Sequence, residues 1–248
     1  MSFLSGLNDS QRQAVQHFNG PLLVIAGAGS GKTRALTQRI AHLIGVHGVD
    51  PTEILAVTFT NKAALEMKER LELLLSQKLA EKNFGQPFAT LNTSNQRQLR
   101  DEIYSKITKE LWIGTFHSLF ARLLRFDIDK LIDQAGLTWT RQFSIYDESD
   151  AQTLIKEIVT QDMQLDPKRF EPKKIRWAIS HAKNKGLLPK DLEAISENKR
   201  EELIAQIYGL YKKALAANNA LDFDDLLLMP VQLLKQNDRI RDYWHKRF

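Results

Sequence analysis

The sequence contains no cysteine and no apolar run long enough to cross a bilayer. The absence of thiols excludes disulfides, thiolate metal sites and a cysteine nucleophile, and it fits a reducing compartment. Residues 1–6 also lack the basic and then apolar layout of a secretory signal peptide. Together these absences favour a cytoplasmic protein that does not contact membranes.

Hydrophobic residues make up 43% of the 248 positions, which is enough for a core in one large domain or two small ones. Basic residues outnumber acidic residues, giving a formal net charge of +5 and a pI of about 9.3. This balance is compatible with nucleic-acid binding, although the charge of a whole chain is a weak indicator.

A glycine-rich segment, residues 26–33, carries the most specific chemistry in the sequence. It has the sequence AGAGSGKT, follows the apolar residues 22–25 and precedes an amphipathic run at 34–44. A strand, a glycine-rich turn and a helix start predict a phosphate-binding loop, because glycines let successive N–H groups surround an anion. The strict pattern begins with glycine, whereas this loop begins with Ala26, so its entry turn must accept a Cβ.

Two side chains of this loop have predicted roles. Lys32 would place a positive charge against the β- and γ-phosphates of a nucleotide, and the Thr33 hydroxyl would ligate Mg²⁺. Gln11 lies 21 residues before Lys32, and its amide offers the donor and acceptor that an adenine edge requires. A solvated helix glutamine is the alternative explanation for Gln11.

Hydrophobic periodicity predicts the elements around the loop. Apolar runs predict strands at 22–26, 54–59 and 112–116, and the second run is typical of a strand buried on both faces of a parallel sheet. Helical patterns occupy the following stretches: 8–18, 34–44, 61–75, 118–131, 148–161, 172–184 and 198–217. No strand is predicted between 127 and 217, and the polar residues 76–110 suggest a partly flexible surface segment with one helix near 95–108.

Similar sequences follow the second and third predicted strands, at residues 58–62 (TFTNK) and 115–118 (TFHS). Ligands bind at the carboxyl ends of parallel strands, and an aromatic ring beside hydroxyl groups and a cation can stack a base. Phe59 could equally be a core residue beside a helix cap. Two such motifs on successive strands nevertheless favour a binding track for single-stranded nucleic acid. We assign no acid–base role to His117.

Two charged segments in the second half of the chain can each be interpreted in two ways. Basic residues are concentrated at 165–190, where they would contact phosphates in a salt-dependent way or form a solvated basic face. The acids in residues 222–225 (DFDD) resemble a Mg²⁺-binding pair, but the preceding residues 216–221 do not have the pattern of a buried strand. We therefore interpret these acids as capping and positioning residues at a helix N-terminus.

In order and character, the motifs resemble those of UvrD/Rep/PcrA-like superfamily 1 DNA helicases. The matching stretches are residues 7–11, 26–33, 56–64, 114–118 and 222–226. The resemblance covers almost the whole chain, except that the segment 76–110 looks longer than is usual for the family. It implies an α/β fold of the P-loop NTPase (RecA-like) type, with a parallel sheet flanked by helices and an inserted all-helical subdomain.

The resemblance also implies a domain layout and a set of site residues. Residues 1–125 with 218–248 would form the RecA-like motor domain, and 126–217 a helical insertion facing DNA. ATP and Mg²⁺ would be the cofactors, with Lys32 and Thr33 catalytic and Thr33 the metal ligand. The nucleotide-binding residues would be Gln11, Ala26, Gly27, Ala28, Gly29, Ser30, Gly31, Lys32, Thr33 and Arg34. The DNA-binding residues would be Thr58, Phe59, Asn61, Lys62, Thr115, Phe116, His117, Lys173, Lys174 and Arg176.

Enzymes of this family hydrolyse ATP, move 3′→5′ along single-stranded DNA and separate strands at junctions, often in DNA repair. Their strand ending in an Asp-Glu pair would follow residues 243–248, and the sequence also lacks a second motor domain. We therefore expect an N-terminal fragment that has negligible turnover without the remaining motor domain. The alternatives are a non-enzymatic nucleotide- or DNA-binding module, a small-molecule kinase and a RecB-like helicase–nuclease.

Overall fold

The computed structural model describes residues 3–27 and 29–248, so Ala28 of the predicted loop lies outside the described residues. The chain divides into two compact units, Met1–Phe116 with Arg247–Phe248 and His117–Lys246. Among the described residues, no helix combines the length and apolar character needed to span a membrane.

These units differ from the predicted domain layout, because residues 117–125 and 218–246 group with the second unit. Hydrogen bonds inside that unit explain the difference. The guanidinium group of Arg125 donates to the carbonyl oxygens of Arg141 and Phe143. The indole of Trp244 donates to the Asp127 carboxylate at 2.9 Å, which ties the C-terminal part of the chain to the same unit.

The first unit consists of helices around a two-stranded sheet. Its elements are α1 (Asp9–Gln16), α2 (Lys32–Gly45), β1 (Leu55–Thr58), α3 (Asn61–Phe84), α4 (Thr93–Ile103) and β2 (Trp112–Thr115). Helices α2 and α3 contribute Ile40 and Leu71 to a core that also contains Ile113 of β2. The predicted helices at 34–44 and 61–75 are therefore present, and α3 is capped by Thr60, whose hydroxyl accepts from the N–H of Ala63.

Strands β1 and β2 pair in parallel, with Leu55 opposite Trp112 and Thr58 opposite Thr115. This pairing confirms the second and third predicted strands. The expected burial of β1 on both faces is wrong, because Ala56 is buried while Leu55 and Val57 are substantially exposed. Exposure alternates along β1, as the two-residue period of a strand requires when one face is covered. In β2, by contrast, Trp112, Ile113 and Gly114 are all buried.

The first predicted strand, at 22–26, does not form. Residues 21–27 have no assigned strand, and Leu23 and Ile25 are 84% and 89% exposed. A strand needs hydrogen-bonded neighbours, and among the described residues β1 and β2 pair only with each other. The phosphate-loop sequence is therefore preceded by an extended apolar segment at the surface.

The segment 76–110 is more regular than predicted. Helix α3 continues to Phe84, and a 3₁₀ turn at Phe88–Thr90 leads into α4. Helix α4 and the π-helical turn Tyr104–Thr108 confirm the helix expected near 95–108. A small apolar cluster holds the segment together: Ala80, Phe88, Leu91 and Leu99.

The second unit is mostly helical. Its elements are α5 (Phe116–Asp127), β3 (Ser144–Tyr146), α6 (Glu148–Glu157), α7 (Pro172–Asn184), α8 (Pro189–Ala194), α9 (Lys199–Ala217), β4 (Ala220–Asp222), α10 (Asp225–Gln236) and α11 (Asp238–Arg247). Three of the predicted helices correspond to α6, α7 and α9. Ile155, Ile179 and Tyr211 bring these helices together in one core.

The expectation of an all-helical insertion is wrong in one respect. Strands β3 and β4 pair in parallel, with Ser144 opposite Ala220 and Tyr146 opposite Asp222. Each strand has three residues, which is too short for an alternating hydrophobic pattern to be recognised. Strand β4 is fully buried, and it places Asp222 at a strand end that the sequence did not predict.

Candidate functional site

Glycines give the predicted phosphate-binding loop its backbone shape. Gly29 and Gly31 have φ angles of +74° and +80°, in the left-handed region that other residues rarely adopt. Gly31 precedes α2 directly, and a Cβ added there would lie 2.7 Å from the Nε2 atom of Gln11. A glycine is therefore favoured at this position by its positive φ angle, and a Cβ there would also displace the Gln11 amide.

A cavity of about 300 Å³ adjoins the loop. Loop backbone and three basic side chains line it: Gly27, Gly29, Ser30, Gly31, Lys32, Thr33, Arg34 and Arg70. The N-terminus of α2 adds the partial positive charge of its unpaired N–H groups to the same place. The cavity is therefore suited to an anionic ligand. Every described residue of the predicted 26–33 loop except Ala26 lines it.

The ammonium group of Lys32 lies on its own loop. Its Nζ atom donates to the carbonyl oxygens of Ala26 and Gly27, both at 2.7 Å. Ser30 donates its hydroxyl to the same Gly27 carbonyl at 2.7 Å. These bonds gather the loop around the lysine, and they place its charge beside the cavity.

Gln11 connects α1 to the loop. Asn8 and Gln11 form a capping box, in which the Asn8 carboxamide accepts from the Gln11 N–H and Gln11 Oε1 accepts from the Asn8 N–H. The Nε2 atom of Gln11 donates to the Ser30 carbonyl oxygen at 2.9 Å. Each atom of an amide group can make a second hydrogen bond, so one donor and one acceptor position remain.

Arg70 is a site residue that the sequence analysis missed. It lies on α3, three residues after the buried Met67, and it lines the cavity together with Arg34 of α2. Its guanidinium group is 3.5 Å from Glu66 and half-exposed. No local motif marks Arg70, because its position at the loop depends on the packing of α3 beside α2.

The carboxyl ends of β1 and β2 bring the two threonine–phenylalanine motifs of the first unit together. Thr58 and Thr115 are register partners, and the hydroxyl of Thr115 donates to the Asn61 side chain at 3.4 Å. Phe59 is 99% exposed, which excludes a core role for this residue. Phe116 is half-exposed, so the rings of Phe59 and Phe116 both lie at the surface. Lys62 is exposed as well.

His117 begins the second unit, and its ring lies edge-on to Phe223 with ring centroids 5.8 Å apart. Phe223 is half-exposed and was not included in the predicted DNA-binding set. In the same DFDD motif Asp222 and Asp225 are buried and Asp224 is partly buried, so a surface aromatic between these acids gave no clear signal in the sequence.

The basic residues of α7 separate into exposed and buried groups. Lys173 and Lys174 are exposed, and Lys174 pairs with Glu171 at 2.7 Å. Arg176 is only 6% exposed, and its guanidinium group lies 2.7 Å from the Asp224 carboxylate. The structure therefore assigns Arg176 to an internal ion pair, and we remove it from the DNA-binding set.

A buried ionic cluster joins α7 to the start of α10. The Nζ atom of Lys183 lies 2.8 Å from Asp222 and 2.7 Å from Asp225. Asp222 also accepts from the Tyr211 hydroxyl at 3.0 Å and from the backbone N–H of Asp225 at 2.9 Å. The bond from the Asp225 N–H agrees with the predicted role of these acids as caps at the N-terminus of a helix. Asp222 is also the last residue of strand β4.

Burial and ion pairing shift the pKa values of this cluster in different directions. Burial would raise the pKa of Asp222, but the Lys183 ammonium group outweighs it and holds that pKa at about 2. Burial and then the Asp222 charge raise the pKa of Asp225 to about 6, against the attraction of Lys183. With Arg176 and Asp224 included, three aspartates face two cations, and Arg176 also lies 3.4 Å from the exposed Glu148. The acids outnumber the cations, and Asp225 is the one with a raised pKa.

The acids of residues 222–225 are therefore engaged in ion pairs. Within the described residues, no group of three or more histidine and acidic side chains is arranged to hold a metal ion. The hydroxyl of Thr33, exposed at the first turn of α2, is the one predicted metal ligand at the phosphate loop.

The UvrD/REP helicase N-terminal domain is the family whose sequence profile matches residues 7–248. The chain is 39% identical over 245 residues to the ATP-dependent DNA helicase PcrA of Bacillus subtilis, which covers 99% of this chain and 28% of the relative. The chain is 37% identical over 244 residues to the ATP-dependent DNA helicase PcrA of Leuconostoc citreum, and the match covers 98% of this chain and 28% of the relative. It is 35% identical over 247 residues to the PcrA helicase of Staphylococcus aureus strain Mu50, and the match covers 100% of this chain and 29% of the relative.

Proposed function

The chain belongs to the UvrD/REP helicase N-terminal domain family, and we propose that it supplies the ATP-binding and DNA-binding part of an ATP-dependent DNA helicase. The observation that carries this proposal is the AGAGSGKT loop at the N-terminus of α2, with Lys32, Arg34 and Arg70 around one cavity. The chain spans 28 to 29% of the length of the PcrA relatives it matches, so the activity of a whole helicase is part of the proposal.

ATP would bind with its phosphates in this cavity. Lys32 would exchange its bonds to the Ala26 and Gly27 carbonyls for the β- and γ-phosphates, which carry more negative charge. Arg34 and Arg70 would neutralise further charge, and the remaining donor and acceptor of Gln11 would meet the adenine edge. The Thr33 hydroxyl would hold Mg²⁺, an ion that takes few protein ligands and would neutralise part of the phosphate charge.

Single-stranded DNA would cross the carboxyl ends of β1 and β2. Phe59 and Phe116 offer aromatic surfaces, Thr58, Asn61 and Thr115 offer polar groups, and Lys62 offers a phosphate contact. In the second unit, His117, Lys173 and Lys174 complete the proposed set. The substrate would include single/double-strand junctions, with 3′→5′ movement driven by ATP hydrolysis in the whole protein.

We propose that these 248 residues alone do not turn over ATP. Phosphoryl transfer needs a group that orients the attacking water. The acids of the DFDD motif are unsuitable, because Lys183 and Arg176 engage Asp222, Asp224 and Asp225. A second motor domain would supply the remaining groups and the closure around ATP.

Calorimetric titration with Mg²⁺ and a non-hydrolysable ATP analogue tests the nucleotide site, and phosphate release with and without oligothymidylate tests turnover. We expect binding without DNA-stimulated hydrolysis. Lys32→Ala should lose the binding, and Lys82→Ala, an exposed change on α3, should retain it. Failure of the unsubstituted chain to bind the analogue would refute the nucleotide site, and brisk DNA-stimulated phosphate release would refute the proposed lack of turnover.

A further inference from the structure

Helix α7 has two faces with different environments. Its inner face packs Ile175 and Ile179 into the core of the second unit. The same side buries Arg176 and Lys183 in ion pairs with the acids of β4 and α10. These three ion pairs and the apolar packing hold this helix in a defined orientation.

The outer face of α7 and its C-terminal cap present four side chains spaced four residues apart: Lys173, Trp177, His181 and the cap residue Lys185. Residues at this spacing lie one above the next along a helix, and the stripe extends over about 18 Å at 1.5 Å per residue. All four residues are exposed. The outer face therefore has an aromatic centre with a lysine at each end.

Trp177 differs from the other tryptophans of the chain. It is 69% exposed, whereas Trp112, Trp139 and Trp244 are 1%, 4% and 5% exposed. Its ring lies parallel to the His181 imidazole, with centroids 5.4 Å apart and an interplanar angle of 6°. The imidazole is stacked on the indole, and we call this stacked pair the platform; most of the indole surface remains in contact with solvent.

The charges around this platform favour an anionic partner. Lys174 is paired with Glu171, but no ion pair is found for Lys173 or Lys185 in the described part of the chain. Of the eight lysines and arginines in residues 165–190, Arg176 and Lys183 are buried in ion pairs and the other six are exposed, against two acids. A partner that combines flat rings with regularly spaced negative charge is a single-stranded nucleic acid, whose bases are unpaired and available for stacking.

We propose that Trp177 and His181 stack an unpaired DNA base while Lys173 and Lys185 contact the phosphates on either side. This site rests on the proposed function, since it assumes a chain that binds DNA. It adds a base-stacking site on the second unit to the proposed contacts at the ends of β1 and β2. The buried ion pairs of Lys183 and Arg176 hold α7 so that the platform is formed before DNA binds.

Tryptophan fluorescence provides a direct test, because Trp177 is the most accessible of the four indoles. Titration of the chain with oligothymidylate should quench part of its tryptophan emission. Trp177→Phe should bind with a modest loss of affinity and without that quenching. Trp177→Ala should bind roughly 5- to 150-fold more weakly, which is the range for loss of one stacked base.

Ile195→Ala is the matched control, since Ile195 is an exposed apolar residue of the same unit. It should leave both affinity and quenching unchanged. Lys173→Ala should weaken binding and lower its dependence on salt, as expected when one phosphate contact is lost. Circular dichroism of each variant would show that the fold is retained.

The outcomes separate this site from the proposed function. If the unsubstituted chain binds no oligothymidylate, the DNA-binding part of the proposed function fails, and the platform fails with it. If the chain binds oligothymidylate but Trp177→Ala binds equally well and the Trp177 emission does not change, the platform alone is refuted. Quenching by duplex DNA in the absence of quenching by oligothymidylate would also refute it.

Discussion

The Nζ atom of Lys32 lies 2.7 Å from the carbonyl oxygen of Ala26, six residues earlier in the same loop. A second bond of equal length joins it to the Gly27 carbonyl oxygen. Carbonyl oxygens carry partial charges, whereas phosphate oxygens carry full ones, so phosphates compete well for the lysine. The lysine is thus held beside the cavity by bonds that a nucleotide can replace.

The first prediction concerns Lys32→Ala. Hydrogen bonds to charged groups contribute about 1.5–3 kcal/mol each, so nucleotide affinity should fall by roughly tenfold or more. The midpoint of thermal unfolding should change little, because Lys32 is exposed. Calorimetry with an ATP analogue and a thermal melt measure the two quantities, with Lys82→Ala as the control. Equal affinity of Lys32→Ala and the unsubstituted chain would exclude a phosphate-binding role.

The second prediction concerns base selection by Gln11. Removing the side chain in Gln11→Ala should weaken ATP-analogue binding by roughly 3- to 10-fold, the effect of one or two neutral hydrogen bonds. GTP-analogue binding should change much less, because guanine presents a different donor and acceptor pattern. Parallel titrations with both analogues measure the ratio. If both affinities fall together, Gln11 acts only by holding the Ser30 carbonyl and the loop.

The third prediction concerns Phe59. Phe59→Ala should weaken oligothymidylate binding by about 1–3 kcal/mol, the effect of one stacked base. Its free energy of unfolding should be unchanged, because the ring is 99% exposed and contributes little to the core. Fluorescence anisotropy of a labelled oligothymidylate measures the affinity. Leu65→Ala, an exposed apolar change on α3, is the control, and equal losses in the two variants would argue against stacking.

Local sequence patterns predicted the helices and part of the site well. The helical patterns at 8–18, 61–75 and 172–184 all correspond to helices of the structure, and Asn8 and Thr60 cap the first two. These features depend on a few neighbouring residues, because caps and helical periodicity are local. The positive φ angle of Gly31 follows from the loop motif for the same reason.

Features that depend on distant partners were predicted less well. The apolar residues 22–25 have the composition of a core strand, but they lack a neighbouring strand among the described residues. Arg176 has the helical spacing of a surface cation, yet Asp224, 48 residues later, holds it inside the second unit. Arg70 reaches the phosphate loop only through the packing of α3 and α2. Such placements require the tertiary structure.

The fourth prediction concerns the buried ammonium group of Lys183. Lys183→Met should reduce the free energy of unfolding by about 3–5 kcal/mol, because it leaves the buried carboxylates of Asp222 and Asp225 without their closest cation. Lys190→Met, an exposed change in the same unit, should alter it by no more than about 0.5 kcal/mol. Urea unfolding followed by circular dichroism measures both, and similar values for the two variants would contradict the ionic account.

The fifth prediction concerns the pH dependence of stability and the acid Asp225. The pKa of Asp225 is raised to about 6 in the folded chain from an ordinary value of 3.8, so the folded chain binds more protons between these values. The free energy of unfolding should therefore rise as the pH falls from 7 to about 4, by roughly 1–3 kcal/mol. Below pH 4 it should fall, because Asp222 has a lowered pKa of about 2 and loses its ionic contribution on protonation.

The variant Asp225→Asn distinguishes the contribution of Asp225 to the pH profile from that of Asp222. This variant removes the group responsible for the rise, and it leaves two cations, Arg176 and Lys183, facing two carboxylates, Asp222 and Asp224. Its stability should therefore be nearly flat between pH 7 and 4 and should still fall below pH 4. Urea unfolding at a series of pH values measures the profile, with the exposed change Asp238→Asn as the control. Parallel profiles for Asp225→Asn and the unsubstituted chain would show that Asp225 is ionised throughout this range and that its pKa is not raised.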